Sequence, residues 1–358
     1  MDAKIILKGL LLILLIGIFE IQVFAAGQPH SCADIYKADI TRTSGVFTIH
    51  NRQGQGYHVY CDIHDGYGYT YVSPATRVAV NIADLTEGNN KSHVLIRDRR
   101  TNGKQYVAWI EQLSQYASVP LSIQYNAHAN YAGFVNGKMS PYIYLGFMPT
   151  SRIHKGEVHG YRVNGHDVTY RNCDGNPNSY FVFLFNKNNL AVTSYSTDNA
   201  LIHKWVDLAN EVPSSQNIPS TFFSEYETHF GGCGGFATTH VIPQVTGAAL
   251  GIRYNIACPT PADIQHGTKR VSGNLMVGSS VTYTCNGGYN MLNGDSTRTC
   301  SKTGKWTGSL PFCGQFPCDS QPCQNGGFCF AGPEATYVCE CQPEYGGTYC
   351  QNRIQGGK

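Results

Sequence analysis

Histidines and carboxylates at close spacing are the residues that could do chemistry, and the densest stretch holds His154, His159 and His166 with Glu157 and Asp167. A helical zinc site needs two histidines four residues apart with a glutamate between, so that both ligands share one face. Here the first two histidines stand five apart, and Gly156, Gly160 and Gly165 punctuate the segment. It reads as loop with solvent-exposed histidines, and no metal is expected. Cys173 could be read as a nucleophile. Fourteen cysteines, an even number, point instead to pairing, with Cys233 as its partner. No Gly-x-Ser-x-Gly elbow, His-Glu-x-x-His or phosphate-cradling loop occurs. No catalytic residue, metal ligand or cofactor is assigned, and the chain reads as no enzyme.

The surrounding sequence says where such a chain works. Lys4 and Lys8, an apolar run from Gly9 to Phe19 and the small pair Ala25 and Ala26 have the form of a secretion signal over residues 1–25. Glu20 and Gln22 cut that run short of the roughly 20 apolar residues that span a bilayer. No later segment is long and apolar enough, so a secreted, extracellular chain without a membrane span is expected. Cysteine-rich composition fits an oxidising compartment. Charged residues are 14% of the chain, the formal net charge is +2 and no basic stripe appears, which argues against nucleic acid as a partner.

Tyrosine (23) and glycine (39) are abundant, which suggests β-structure joined by many turns. Cysteine density divides the chain. Only Cys32, Cys61, Cys173 and Cys233 lie before residue 258, so that region must hold itself by an apolar core. Ten cysteines fall between Cys258 and Cys350, where the chain must be stapled. Short links are expected at Asn255–Ala257 and Gly314–Pro317.

From Cys258 the pattern is a proline after the first cysteine, alternation through Val281-Thr-Tyr283, and Gly304-Lys-Trp306 before the fourth cysteine, Cys313. It resembles the Sushi (complement control) module over 258–313. The resemblance implies a small β-sandwich with Cys258–Cys300 and Cys285–Cys313 bridges. Trp306 offers the largest area that so short a chain can bury, so core packing is its expected role. From Cys318 six cysteines follow closely, with Asn-Gly-Gly before the third and Tyr-Gly-Gly near the sixth. Residues 314–351 resemble an EGF-like module, which implies Cys318–Cys329, Cys323–Cys339 and Cys341–Cys350. The carboxylates that calcium-binding members carry before the first cysteine are replaced by Gly314, Gln315, Phe316 and Pro317, so calcium is not expected.

The N-terminal region opens with a hairpin bracketed by Cys32 and Cys61, with strands Val46–Ile49 and His58–Tyr60 and a turn at Gly54-Gln-Gly56. This resembles the entry hairpin of fibrinogen-like domains, which implies a Cys32–Cys61 bridge. The Gly-Gly-Trp-Thr of that family gives way here to Gly66-Tyr-Gly-Tyr-Thr70. The far end, His229-Phe-Gly-Gly-Cys-Gly-Gly-Phe236 and Thr246–Tyr254, is similar to the end of the GON domain of some secreted metalloproteases. Residues 32–257 are therefore read as a GON-like domain with a fibrinogen-like entry. Between the ends, strands are expected at Val78–Ile82, His93–Ile96, Tyr106–Ile110, Val119–Tyr125, Tyr142–Phe147, Tyr180–Phe185 and Leu190–Tyr195, with one helix at Ala200–Val212. Asn90-Lys-Ser92 is an N-glycosylation sequon. Cys318-Asp-Ser-Gln-Pro-Cys323 matches the O-glucosylation pattern of EGF modules and points to Ser320.

The expected architecture is mainly β and multidomain: a large β-rich head with little helix, then a stapled Sushi sandwich and an EGF-like module. The function expected of it is that of an extracellular-matrix or adhesion protein binding proteins or glycans without catalysis. The alternative is a complement- or protease-type regulator acting through the Sushi module.

Overall fold

The computed structural model describes residues 27–354 except 88–92, 127–141, 174, 176–178, 186–202, 231–234, 239–241, 243 and 333–335. The expected leader, Asn90, Cys233 and the expected strand Leu190–Tyr195 lie outside the described residues. The chain is mainly β. It divides into two compact units, one of Met1–Asp34, Thr43–Asp62 and Tyr69–Arg253, the other of Ile35–Arg42, Ile63–Gly68 and Tyr254–Lys358.

The first helix, α1 (Cys32–Ala38), escaped the sequence reading. Its signal is a reciprocal cap: Ser31 Oγ accepts from the Asp34 backbone N–H at 3.1 Å, and Asp34 Oδ2 accepts from the His30 N–H at 2.8 Å. Cys32 is bridged to Cys61. The hairpin that follows has β1 (Gly45–His50) against β2 (Gly56–His64), with Thr48 opposite His58. Asn51 shapes its turn, its Oδ1 accepting from the N–H of Gln53 at 3.0 Å and of Gln55 at 2.9 Å, while Gly54 takes φ 75°.

Next come β3 (Tyr67–Val72), β4 (His93–Arg100), β5 (Gln105–Glu111), β6 (Ser122–Asn126), β7 (Tyr142–Gly146), β8 (Val158–Val163), β9 (His166–Arg171) and β10 (Ser179–Leu184). The last four strands of the region are β11 (Asn210–Glu211), β12 (Glu225–Phe230), β13 (Phe236–Thr238) and β14 (Val245–Asn255). Among the described residues nine of these form one sheet, ordered β1-β2-β3-β14-β4-β5-β8-β9 with β11 on β5, and five form a second, ordered β13-β12-β10-β7-β6. Every residue of β10 is buried, as befits a middle strand covered on both faces. Tyr161 of β8 lies 5.5 Å from both Phe181 and Phe230 of the second sheet, which joins the two sheets through aromatic rings. Trp205, fully buried, meets Phe181 and Tyr226 edge-on at 5.9 and 5.6 Å.

Three expectations differ. The segment around His159, read as loop, forms the antiparallel pair β8 and β9. Val78–Ile82 forms no strand; Asn81 Oδ1 accepts from the Ala83 N–H at 3.0 Å and starts the one-turn helix α2 (Ile82–Leu85). In place of a helix from Ala200 to Val212 the described part shows one turn, α3 (Lys204–Asp207). The chain then turns extended, because Asn210 and Glu211 pair with Val107 and Tyr106 of β5.

In the second unit β15 (Gly267–Ser272), β16 (Ser280–Cys285) and β18 (Thr297–Thr299) form one sheet, and β17 (Asn290–Asn293) pairs β19 (Phe312–Gly314). Cys258 is joined to Cys300 and Cys285 to Cys313. Val281 and Tyr283 on β16 are the buried centre. Trp306 is only half-buried, a correction to its expected core role: its Nε1 donates to the Pro259 carbonyl at 2.8 Å, so the ring serves as a clasp. Further on, β20 (Phe328–Ala331) pairs β21 (Tyr337–Glu340), and bridges join Cys318 to Cys329, Cys323 to Cys339 and Cys341 to Cys350. Residues 255–257 are no loose link. Asn255 ends β14, and Ile256 is fully buried, donates its N–H to the Gly66 carbonyl at 2.9 Å and accepts at 3.1 Å from the Val277 N–H.

Candidate functional site

The three histidines singled out by spacing do not converge. His154 is exposed and its Nε2 sits 3.0 Å from Glu157 Oε1, while His166 begins the edge strand β9 in solvent. Asp167 pairs with Arg162 at 2.9 Å and accepts from Ser114 Oγ. His159 departs from the expected exposure: it is fully buried, its Nδ1 2.7 Å from Ser179 Oγ and 3.2 Å from the Tyr170 hydroxyl. Alternation within β8 turns it inward, where the hydroxyls meet the ring nitrogen. A serine hydroxyl on an imidazole is the geometry of an activated nucleophile. Both groups are buried, at 0 and 2% exposure, so the pair is a core hydrogen bond. Among the described residues no group of three or more His, Cys, Asp or Glu is placed to hold a metal ion. Cys173 is disulfide-bonded, and Cys233 lies outside the described residues. Ser320 is exposed, its hydroxyl 3.3 Å from the Pro317 carbonyl.

Sequence spacing did not reveal a cleft of about 590 Å³ that lies, among the described residues, between the β4–β5 turn and residues 211–217. Its walls carry a cation, a carboxylate, two amides and a hydroxyl: Lys104, Glu211, Asn102, Asn217 and Ser214. The turn is built by Asn102, whose Oδ1 accepts from the Lys104 N–H at 3.0 Å, and by Gly103 at φ 81°. Lys104 Nζ reaches Glu211 Oε1 at 2.8 Å, and the Tyr106 hydroxyl donates to Glu211 Oε2 at 3.1 Å. These partners hold the Glu211 carboxyl below its ordinary pKa, the Lys104 hydrogen bond first and Tyr106 next, and Glu211 raises that of Lys104. The charged pair is therefore ionised at neutral pH.

The opposite wall is held by a buried amide. Gln105 Nε2 donates to the Ile218 carbonyl at 2.8 Å, and its Oε1 accepts from the Ile218 N–H at 3.0 Å. Arg97 Nη1 adds a bond to the Gln216 carbonyl at 2.9 Å. Loop 213–218 is thus tied to the sheet, which keeps the cleft open. Its lining offers several polar contacts to a bound ligand. Its pieces are more than a hundred residues apart, the reason that spacing could not show it.

Residues 258–313 match the Sushi repeat (SCR repeat) family and residues 318–349 the EGF-like domain family. Human fibulin-7 is 39% identical over 104 residues, covering 28% of this chain and 22% of fibulin-7. The rat Sushi, von Willebrand factor type A, EGF and pentraxin domain-containing protein 1 is 34% identical over 97 residues, 26% of this chain and 3% of that protein. Complement control protein C3 of Vaccinia virus (strain Western Reserve) is 36% identical over 93 residues, 23% of this chain and 35% of the viral protein. The chain thus spans about a fifth of the length of fibulin-7. The chain carries a Sushi repeat followed by an EGF-like domain, and in these it is similar to modular proteins that include fibulin-7.

Proposed function

We propose that the chain is a secreted extracellular-matrix or adhesion protein, without catalysis, whose N-terminal domain binds protein or glycan ligands through the cleft at Lys104 and Glu211. The observation that carries this reading is the cleft itself, large enough for a small ligand and lined by side chains that hydrogen-bond hydroxyl and amide groups. The Sushi and EGF-like modules and the likeness to fibulin-7 support the extracellular setting. The test is binding of the full chain to arrayed matrix glycans and purified matrix proteins. Lys104→Ala and Ser214→Ala, both exposed changes, are expected to weaken the strongest interaction while leaving the melting temperature unchanged. Equal binding by wild type and both variants overturns the assignment.

A second reading, regulation of complement, is favoured by the similarity to the viral complement control protein. A single Sushi module speaks against it, since regulators of that class use several in series. Inhibition of complement-mediated haemolysis by the full chain would decide for it. The same extracellular reading carries three chemical proposals: a Cys173–Cys233 bridge, an N-glycan on Asn90 and an O-glucose on Ser320. Non-reducing peptide mapping of the secreted chain reads all three.

A further inference from the structure

The EGF-like hairpin has two unlike faces. Cys329 lies opposite Cys339, and each is bridged to another cysteine, so that side is stapled. On the other side Phe330 lies opposite Val338 and Phe328 opposite Glu340. Phe328, Phe330 and Val338 are 63, 55 and 67% exposed. Single exposed apolar residues are ordinary, but three on one face of so small a hairpin are not. The bridges hold this module, so these side chains add nothing to a core that would explain them.

Charge indicates what covers them. Residues 318–349 contain Asp319, Glu334, Glu340 and Glu344 and no lysine, arginine or histidine, within a chain whose net charge is +2. Glu340 stands exposed on the apolar face itself. An anionic lipid surface is repelled by such a module, whereas a basic protein segment is attracted. Phe328 and Phe330 are two residues apart on a strand, about 7 Å, the repeat of side chains along an extended chain.

We propose that the face formed by Phe328, Phe330, Val338 and Glu340 docks an extended segment of a partner protein in which two apolar residues and a lysine or arginine stand at every second position, so that all three side chains meet this face. The two phenyl rings and Val338 take the apolar side chains, and Glu340 takes the base. This surface is independent of the cleft at Lys104, so either assignment can fail without the other.

The test uses the full secreted chain and a short synthetic peptide with valine, valine and arginine at every second position and serine between them. Phe330→Ser and Val338→Thr remove apolar contact at positions exposed enough to leave the bridges intact, which disulfide mapping verifies. Each is expected to weaken peptide binding about tenfold, as truncation at the centre of an interface does, and Glu340→Gln to weaken it most at low salt. The same peptide with glutamate in place of arginine should not bind. Unchanged binding by both apolar variants, or equal binding of the acidic peptide, overturns the proposal. So does a wild-type dimer that Phe330→Ser dissolves, which would make a second copy the occupant. Binding to phosphatidylcholine vesicles that is lost in Phe330→Ser would assign the face to lipid and equally overturn it.

Discussion

At the scale of single residues, the histidines that spacing brought forward, His154, His159 and His166, do not converge in the fold. His159 was legible as a histidine but not as a buried one, because its partners Ser179 and Tyr170 reach it only through the sheet. Asp98 drew no notice in the sequence, yet it is fully buried on β4, with Oδ2 2.8 Å from Arg100 Nε. Burial raises its carboxyl to about 6, with Arg100 opposing. Between the ordinary carboxylate range near 4 and that value, the folded chain holds a proton that the unfolded chain has released. The contribution of Asp98 is therefore greatest below about pH 4 and is lost as pH rises through 6. Urea unfolding from pH 4.5 to 7.5 should show wild-type stability falling relative to Asp98→Asn by about 1 kcal/mol per pH unit up to about pH 6 and levelling off above it. Parallel curves would mean that Asp98 is ionised throughout.

At the scale of elements, legibility followed how local the cause was. The β1–β2 hairpin was readable because alternation and the Gly54 turn lie within one short stretch. The strand expected at Val78–Ile82 failed because apolar β-branched residues mark burial as well as extension, and Asn81 caps a helical turn there instead. The helix α1 was missed although its cap, Ser31 with Asp34, stands in the sequence. Ser31 has a second bond, its Oγ donating to Glu87 Oε1 at 2.8 Å. Ser31→Ala removes both, so a loss of about 1–2 kcal/mol is expected in urea unfolding. A change below a few tenths would mean that the Cys32–Cys61 bridge alone holds this turn. The cleft was the least legible feature, since Gln105 and Ile218 meet from 113 positions apart.

At the scale of the whole molecule, cysteine density placed the Sushi boundary at Cys258, where the Sushi repeat match begins, and the compact unit that holds this module also takes in Ile35–Arg42 and Ile63–Gly68 with Tyr254–Lys358. The bonds responsible are specific. Gly66 accepts from Ile256, Ile256 accepts from Val277, and Lys302 Nζ meets Asp65 Oδ2 at 2.7 Å. Gly66 is the pivot, with φ 81°, and a Cβ there would meet the side chain of Val277 at 3.1 Å. An L side chain is strained in that backbone region and here is crowded as well. Gly66→Ala in the full chain should therefore cost about 1–3 kcal/mol and speed hydrogen exchange at the Ile256 and Val277 amides, the two donors of this relay. Lys302→Ala breaks only an exposed pair and should leave both amides protected. If Gly66→Ala leaves them protected too, turn 63–68 does not hold the entry to the Sushi repeat. A fragment ending at residue 257 would then be a fair substitute for the N-terminal domain; if exchange quickens, such a fragment cuts through a folded unit, and binding must be measured on the full chain.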